Sequence, residues 1–333
     1  MTSNASFICR EHDIVAACAQ HELAHAQRRD YRRCISFTID GNRYFIKFGD
    51  TWCFASEVAT QQKLANVARS EQDAPHVPAI HHIFAHEHLT YAIMEFVETM
   101  EVPMDVFVQK VSDAVLWLRR QPAPPSVALG PLGGGRAWHK IFKDRCAPLP
   151  FTSPIALERF LNKAVDCIRR RRPNIADINV ADESLVLTQS DMDPSNFGVD
   201  TAGRPVIFDF GQIGWLPESL ANYSLLGTAT FASGVSAGVL GDSLRSVAES
   251  ANVKSMGAVR MHLGMSFSHD LGAFDLSVKR DADDDLRRSG LRWESEDVVA
   301  IRSTGVSPDV DSGLREYDGM VVTCKTEQKY SKD

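Results

Sequence analysis

The sequence predicts an α+β chain, with short antiparallel hairpins in its first third, helical periodicity through most of the rest, and one more hairpin set among the helices. Three stretches carry this reading. Ile35, Phe37 and Ile39 alternate before Asp40-Gly41-Asn42, and Tyr44, Ile46 and Phe48 alternate after it, the period-two pattern of a half-buried hairpin. Apolar residues recur at helical spacing through Phe107, Val111, Val115 and Leu118, and again through Leu157, Phe160, Leu161, Ala164 and Ile168. Phe197 to Val199 and Val206 to Phe208 flank the turn-prone Asp200-Thr201-Ala202-Gly203-Arg204.

A chain of 333 residues with 44% hydrophobic content has room for two lobes, each with its own core. The densest basic run, Arg169 to Arg172, closes a helix and suits its negative end, so nothing in the composition suggests a nucleic-acid partner at a net charge of -7. No apolar run approaches the ~20 residues of a membrane span, and the N-terminus lacks a secretory apolar core. Seven cysteines without C-x-x-C spacing point to reduced thiols and a cytoplasmic location. The oligomeric state stays open.

In chain order, a helix is expected from Asp13 to Arg29. It contains His21-Glu22-Leu23-Ala24-His25, whose histidines share a face and could bind zinc while Glu22 polarises water, with Glu57 as a further ligand. A zinc hydrolase is therefore a distant alternative. The hairpin that follows, centred on Gly41-Asn42, puts both apolar rows on one face and Lys47 on the other. A helix from Phe54 to Ala68, with Thr51 as its cap, buries Phe54, Val58 and Ala65 and carries Glu57. Pro75 and Pro78 end it. Strands are expected over Ala79 to Phe84 and Leu89 to Val97, then helices over Met104 to Leu118 and Pro154 to Ile168. His81, His82, His86 and His88 lack further donors at ligand spacing and read as ordinary strand residues. The Pro/Gly-rich insert between the two helices, ending in Gly133-Gly134-Gly135, reads as a mobile surface loop, with Trp138, Phe142 and Phe151 packing it near a substrate cleft.

The stretch from Leu185 to Gly211 concentrates the chemistry. A strand from Leu185 to Thr188 delivers Asp191 into a loop. If the next hairpin is centred on Ala202-Gly203, Asn196 faces Asp209, with Cβ atoms roughly 5 Å apart. An amide oxygen and a carboxylate at that separation suit a hard cation such as Mg²⁺, bound by few protein ligands and completed by phosphate. Asp191 is then free to act as a base.

Asp191 and Asn196 in a D-x-x-x-x-N spacing, followed by Asp209-Phe210-Gly211, resemble the active-site pattern of the protein-kinase superfamily. The form Asp191-Met192-Asp193-Pro194-Ser195-Asn196 is similar to the H-G-D-x-x-P-x-N loop of the aminoglycoside phosphotransferase and choline kinase branch, its fungal members included. The resemblance spans roughly Tyr31 to Met265. It implies a bilobal protein-kinase-like fold, with an N-lobe over 1–97, a C-lobe over 98–288 and a loosely ordered tail over 289–333. It further implies an ATP-dependent transferase of the kinase type, acting with Mg²⁺ on a small-molecule hydroxyl acceptor. Asp191 would be the base, and Asn196 and Asp209 the metal ligands. Lys47 would meet the nucleotide phosphates and be held by Glu57, while backbone groups at Glu95, Phe96 and Val97 would hold the adenine edge. Trp215-Leu216-Pro217-Glu218 follows Gly211 almost at once and leaves no room for a peptide-docking activation segment, which favours a small acceptor.

The chain departs from the family pattern twice. No G-x-G-x-x-G precedes Lys47, so Arg29 to Cys34 is expected to cover the phosphates. Gln189-Ser190 stands where the family has His-Gly, and loss of such a supporting side chain typically costs about 10- to 100-fold. A slowed enzyme is expected, with a catalytically weak or inactive nucleotide-binding pseudokinase as the alternative. Beyond the motif, Met256 to Phe274 reads as helix, and Asp281 to Asp285 as a solvated acidic run.

Overall fold

The computed structural model describes residues 4–28, 31–124, 128–227 and 229–265. The N-terminal lobe is one antiparallel sheet between two helices. Helix α1 spans Asn4–His25, β1 Cys34–Ile39, β2 Asn42–Asp50, α2 Thr51–Ala68, β3 Ile80–His86 and β4 Leu89–Glu95. The strands lie in the order β1-β2-β4-β3. The expected apolar face is real: Ile39, Tyr44, Ile46, Phe48, Tyr91 and Ile93 pack on Phe7, Ile14 and Cys18 of α1. That packing explains why α1 begins well before Asp13, since Phe7 meets Tyr44 edge-on at 5.3 Å.

The hairpin register differs from expectation by two residues. Asp40 and Gly41 both take positive φ (50° and 78°), the two-residue turn that matches strand twist, so Ile39 pairs with Asn42 and Phe37 with Tyr44. An even slip keeps both apolar rows on the same face, and Lys47 still points to the other. There Phe54 and Val58 of α2 pack on Ala92 and Met94. Thr51 is not the cap: it is the first helical residue, and its hydroxyl donates to the His88 carbonyl at 3.0 Å.

The C-terminal lobe is mostly helical, with α3 Met104–Arg120, α4 Pro154–Arg169, α5 Glu218–Leu225, α6 Thr230–Leu240, α7 Leu244–Glu249 and α8 Ala251–Met265. Ser153 caps α4 by accepting from the Ala156 N–H at 3.2 Å, and Pro154 sits in the first turn, where its missing N–H costs nothing. Two short antiparallel pairs are set among the helices. Strand β5 (Leu185–Gln189) pairs with β8 (Ile213–Pro217), and β6 (Phe197–Val199) pairs with β7 (Pro205–Ile207). The expected helix from Met256 begins at Ala251 and is described to Met265; its remainder, the acidic run Asp281 to Asp285 and the tail over 289–333 lie outside the described residues. Among the described residues no helix is long and apolar enough to cross a membrane.

The insert before α4 is not a mobile loop where it is described. Gly130 bridges Trp215 of β8, with N–H to carbonyl contacts of 3.0 and 2.8 Å in the two directions. The chain then crosses to α2 as a strap. Lys63 donates to the Leu132 carbonyl at 2.6 Å, the Gly133 N–H to Thr60 Oγ1 at 3.1 Å, and Ser56 Oγ to the Gly134 carbonyl at 2.5 Å. Phe142 and Phe151, expected near a substrate cleft, are buried against Phe160 in the core between α4 and α8. The glycine at 133 is required by this approach, since a Cβ there would stand 2.3 Å from the Ser56 carbonyl oxygen. Gly133→Ala is therefore expected to destabilise the protein by about 1–3 kcal/mol, the usual range for overpacking, measurable as a lower urea midpoint.

His139 is fully buried between Leu220 and its own turn. Nε2 lies 3.1 Å from the Leu220 carbonyl and Nδ1 accepts from the Ile141 N–H at 3.1 Å, so the ring is held neutral. Burial, with Lys140 and Arg260 adding to it against the Leu220 carbonyl, pushes its pKa down to about 3. Its folded value thus lies below the ordinary 6.5, and the stability it contributes is complete above about pH 6.5 and lost as pH falls toward 3. Stability measured by urea unfolding should fall between pH 7 and pH 5. In His139→Gln that part of the slope should disappear.

Candidate active site

The site is built where β2, α2 and the Leu185–Gly211 stretch meet. Lys47 leaves the face of β2 opposite α1 and is salt-bridged to Glu57 of α2 and, at 3.3 Å, to Asp209 Oδ1, which is 162 positions away in the chain. The Gly211 N–H also donates to Asp209 Oδ1 at 3.0 Å. Burial alone would lift Asp209, but the Lys47 charge and the Gly211 N–H together hold it below the ordinary aspartate value. Glu57 behaves oppositely. Burial, with Asp209 adding to it, pushes Glu57 up to about 7 despite Lys47. Lys47 itself is held above the ordinary lysine value: burial opposes its charge, and Asp209 and Glu57 outweigh burial.

Gln189, the residue that departs from the family pattern, ties this ion cluster to Asp191. Its amide nitrogen donates to the Asp209 carbonyl at 2.8 Å, and its amide oxygen accepts from the Asp191 N–H at 3.1 Å. Asn196 Nδ2 in turn donates to the Asp191 carbonyl at 3.1 Å, which leaves its oxygen as the end suited to a cation. Lys47, Glu57, Asp191, Asn196 and Asp209 are thus joined in one network.

The Asp191 carboxylate has partners that the sequence did not reveal. Arg145 Nη1 lies 2.7 Å from Oδ1, and Gln212 Nε2 lies 3.4 Å from Oδ2. Arg145 comes from the turn Lys143–Arg145, where Asp144 and Arg145 both have left-handed backbone (φ 51° and 59°). Such conformations cost non-glycine residues about 1–3 kcal/mol each and persist only where the surroundings hold them.

The hairpin carrying Asn196 also differs in register from expectation. Gly203 has φ 78° and donates to the Asp200 carbonyl at 2.8 Å, closing a three-residue loop with a bulge, so Phe197 pairs with Ile207. Asn196 therefore stands opposite Phe208, whose N–H it receives at 2.9 Å, and Asp209 is the next residue along. The turn is one residue longer than the expected one centred on Ala202-Gly203.

Glu95, Phe96 and Val97 belong to no part of this network. The Glu95 N–H donates to the Ala79 carbonyl at 2.8 Å, and the Glu95 carboxylate accepts from the Ala79 N–H at 3.1 Å and lies 3.0 Å from His76 Nε2. The Glu95 N–H and carboxylate are thus both engaged with Ala79, just before β3. Arg43 covers the Phe96 ring at 3.8 Å. Past the hinge, a cleft of about 350 Å³ opens between Thr99–Val102, Phe107 and the Phe197–Val199 strand. His76 was also invisible in the sequence: its Nδ1 meets Asp200 at 3.0 Å, so one imidazole links Glu95 to the β6–β7 hairpin.

For the zinc reading, Glu22 is paired with Arg33 at 3.0 Å, Glu57 with Lys47, and a His21 ring nitrogen lies 3.0 Å from the Arg32 carbonyl. Among the described residues no group of three His, Cys, Asp or Glu is placed to hold a metal ion. Of the expected phosphate cover, Arg33 is engaged with Glu22 and Asp50, and Arg29 and Asp30 lie outside the described residues.

No family model matches the chain, and no curated protein does. Similar solved structures exist. Aminoglycoside phosphotransferase APH(4)-Ia superposes with a TM-score of 0.46 at 13% identity, over 76% of this chain and 89% of that one. A type VIII aminoglycoside-3'-phosphotransferase gives 0.38 at 15%, over 73% and 97%. A putative fructosamine-3-kinase from Haemophilus somnus 129PT gives 0.42 at 11%, over 68% and 88%. At such identities and scores, what this site does rests on its own residues.

Gln189 offers a direct test of the network. Gln189→Leu leaves both the Asp191 N–H and the Asp209 carbonyl without their partner, and a buried polar group left so costs about 1–3 kcal/mol. A loss of about 2–5 kcal/mol in unfolding free energy is expected. Gln189→His, which keeps one donor and one acceptor, should recover much of it.

Proposed function

We propose that this chain transfers the γ-phosphoryl group of ATP to a hydroxyl of a small molecule. The observation that supports it most is the meeting of Lys47, Glu57 and Asp209, from two lobes, with Gln189 linking that cluster to Asp191. Lys47, kept charged and fixed by Glu57, would hold phosphate oxygens in place. Asp191 would accept the proton of the acceptor hydroxyl, its loop held by Gln189 on one side and Asn196 on the other. Asn196 and Asp209 offer an amide oxygen and an ionised carboxylate, a donor set that fits Mg²⁺, which would neutralise phosphate charge when bound. The cleft beside Thr99 and Val199 is where we place the nucleotide base, with Phe96 and Val97 at its edge.

In this reading the N-terminal lobe ends near Val97 and the acceptor sits on the helical lobe. The family's His-Gly is dispensable here because an amide can supply the same donor and acceptor. The protein is taken to be cytoplasmic.

The experiment is heat protection by Mg·ATP together with phosphate transfer to a broad panel of hydroxyl compounds. Protection should be lost in Lys47→Ala. In Asp191→Asn protection should remain while transfer drops by about 10²- to 10⁴-fold, the usual worth of a general base. Protection without transfer to any compound would favour a pseudokinase, and no protection at all would end the phosphotransferase reading.

A further inference from the structure

His76 stands between two carboxylates. It lies in the segment after α2, whose backbone runs against β7: the His76 N–H donates to the Pro205 carbonyl at 2.7 Å, and the His76 carbonyl accepts from the Ile207 N–H at 3.2 Å. Its side chain is mostly buried between β4 and the β6–β7 hairpin. Nε2 lies 3.0 Å from Glu95 Oε1, and Nδ1 lies 3.0 Å from Asp200 Oδ2. A neutral imidazole has one N–H and one bare lone pair, so it can serve only one of these oxygens and must turn its lone pair on the other. Only the doubly protonated ring satisfies both contacts.

The surroundings favour that form. The hydrogen bond to Glu95 outweighs burial, and Asp200 adds to it, so the ring titrates above the ordinary 6.5. Arg204 of the hairpin works against this, with Nη2 3.3 Å from Nδ1. His81 of β3 also acts on Glu95, but burial holds it below 6.5, so it is already neutral where His76 titrates.

The two carboxylates do not depend on His76 equally. Asp200 Oδ1 accepts from the Ala202 and Arg204 N–H groups at 3.0 and 2.9 Å, and Oδ2 accepts from Arg204 Nε at 3.0 Å and Nη2 at 2.9 Å. Glu95 has fewer donors: His76 at Oε1, and the Ala79 N–H at Oε2. When one proton leaves the ring, the other is therefore held toward Glu95, and Nδ1 is bared. Its lone pair then opposes Asp200 Oδ2, and an attraction at that joint becomes a repulsion.

We propose that His76 is a pH-dependent fastener between the lobes: doubly protonated, it ties Glu95 at the end of β4 to Asp200 of the hairpin, and on losing the Nδ1 proton it releases the hairpin. Strand β6 begins one residue after Asn196 and β7 ends two residues before Asp209, so the released element carries the candidate site at its open end. The fastener acts whether or not the chain transfers phosphate. Because the folded value lies above the ordinary one, the stability His76 adds is complete below about pH 6.5 and lost as pH rises through its folded value, the reverse of His139.

The test is titration of the His76 ring nitrogens by ¹⁵N NMR on the full chain, with amide hydrogen exchange followed on the same samples. As pH rises from about 6, the ring should pass from two protonated nitrogens to the Nε2–H form, with its midpoint above 6.5. Through that step, after correction for the intrinsic exchange rate, protection of the Ile207 N–H should fall by about 10- to 100-fold, the worth of a hydrogen bond to a charged group. His76→Gln, which keeps one donor and one acceptor and does not titrate, should show no such step. Glu95→Gln should bring the ring titration down, and the exchange step should move with it. The proposal is overturned if the ring titrates at or below 6.5, if Nε2 loses its proton first, if exchange stays flat through the titration, or if His76→Gln keeps the step. Should His76→Gln fail to fold, Glu95→Gln decides: an exchange step that stays in place while the ring titration moves overturns it equally.

Discussion

One ammonium holds the two lobes in register. Lys47 is shielded by the sheet above and the helical lobe below, and its charge is met by Glu57 from one side and Asp209 from the other. Removing one partner of a fully buried pair typically costs about 3–5 kcal/mol, and here, with Lys47 a quarter exposed, the cost should be smaller. Burial, with the neighbouring Asp209 charge adding to it, lifts Glu57 to about 7, while Lys47 and the Gly211 N–H hold Asp209 low.

Lys47 can serve this way only if α2 keeps Glu57 facing it, and α2 is held from several directions. Phe54 and Val58 pack on the sheet. Further along the helix, Leu64 and Ala65 belong to the same buried cluster as Val111 and Val115 of α3 and Phe210, the residue after Asp209. Across its exposed side runs the strap from Leu132 to Gly134, bonded to Ser56, Thr60 and Lys63 and anchored through Gly130 to β8. The segment after α2 then runs along the β6–β7 hairpin, with the His76 N–H donating to the Pro205 carbonyl and the His76 carbonyl accepting from the Ile207 N–H. The packing of Leu64 and Ala65, the strap and the His76 segment each join residues of the sheet lobe to residues of the helical lobe, so the two are coupled through α2 and the segment after it.

How much of this was readable in the sequence depended on the range of the interaction. Period-two and period-3.6 patterns placed β1, β2, α3 and α4, because those patterns report one buried face of one element. The short spacing from Asp191 to Asn196 and the Asp209-Phe210-Gly211 triplet located the chemistry for the same reason. Registers were less accessible. The Asp40-Gly41 turn and the bulged loop closed by Gly203 depend on which residues accept positive φ, and neighbouring glycine, aspartate and asparagine residues compete for that position. Long-range polar contacts were out of reach: nothing near Arg145 announces a partner at Asp191, and His76 meets Asp200 across 124 positions. Strand β8 was missed because Gly214 interrupts its pattern, although a Cβ there would stand 2.4 Å from the Gly130 backbone.

Gln189 shows why a departure from a motif need not be a loss. In the family pattern that position is a histidine, whose neutral ring has one N–H donor and one bare nitrogen acceptor. A primary amide carries the same pair of functions, its oxygen and nitrogen about as far apart as the two ring nitrogens, and here both are used: one on the Asp209 carbonyl, the other on the Asp191 N–H. The amide differs in one respect. It does not titrate in the physiological range, so the loop that positions Asp191 keeps its bonding at pH values where a histidine would gain a proton and lose its acceptor. The support is thus constant, and any pH dependence of the site falls to the groups that do ionise there, with Glu57, at about 7, foremost among them.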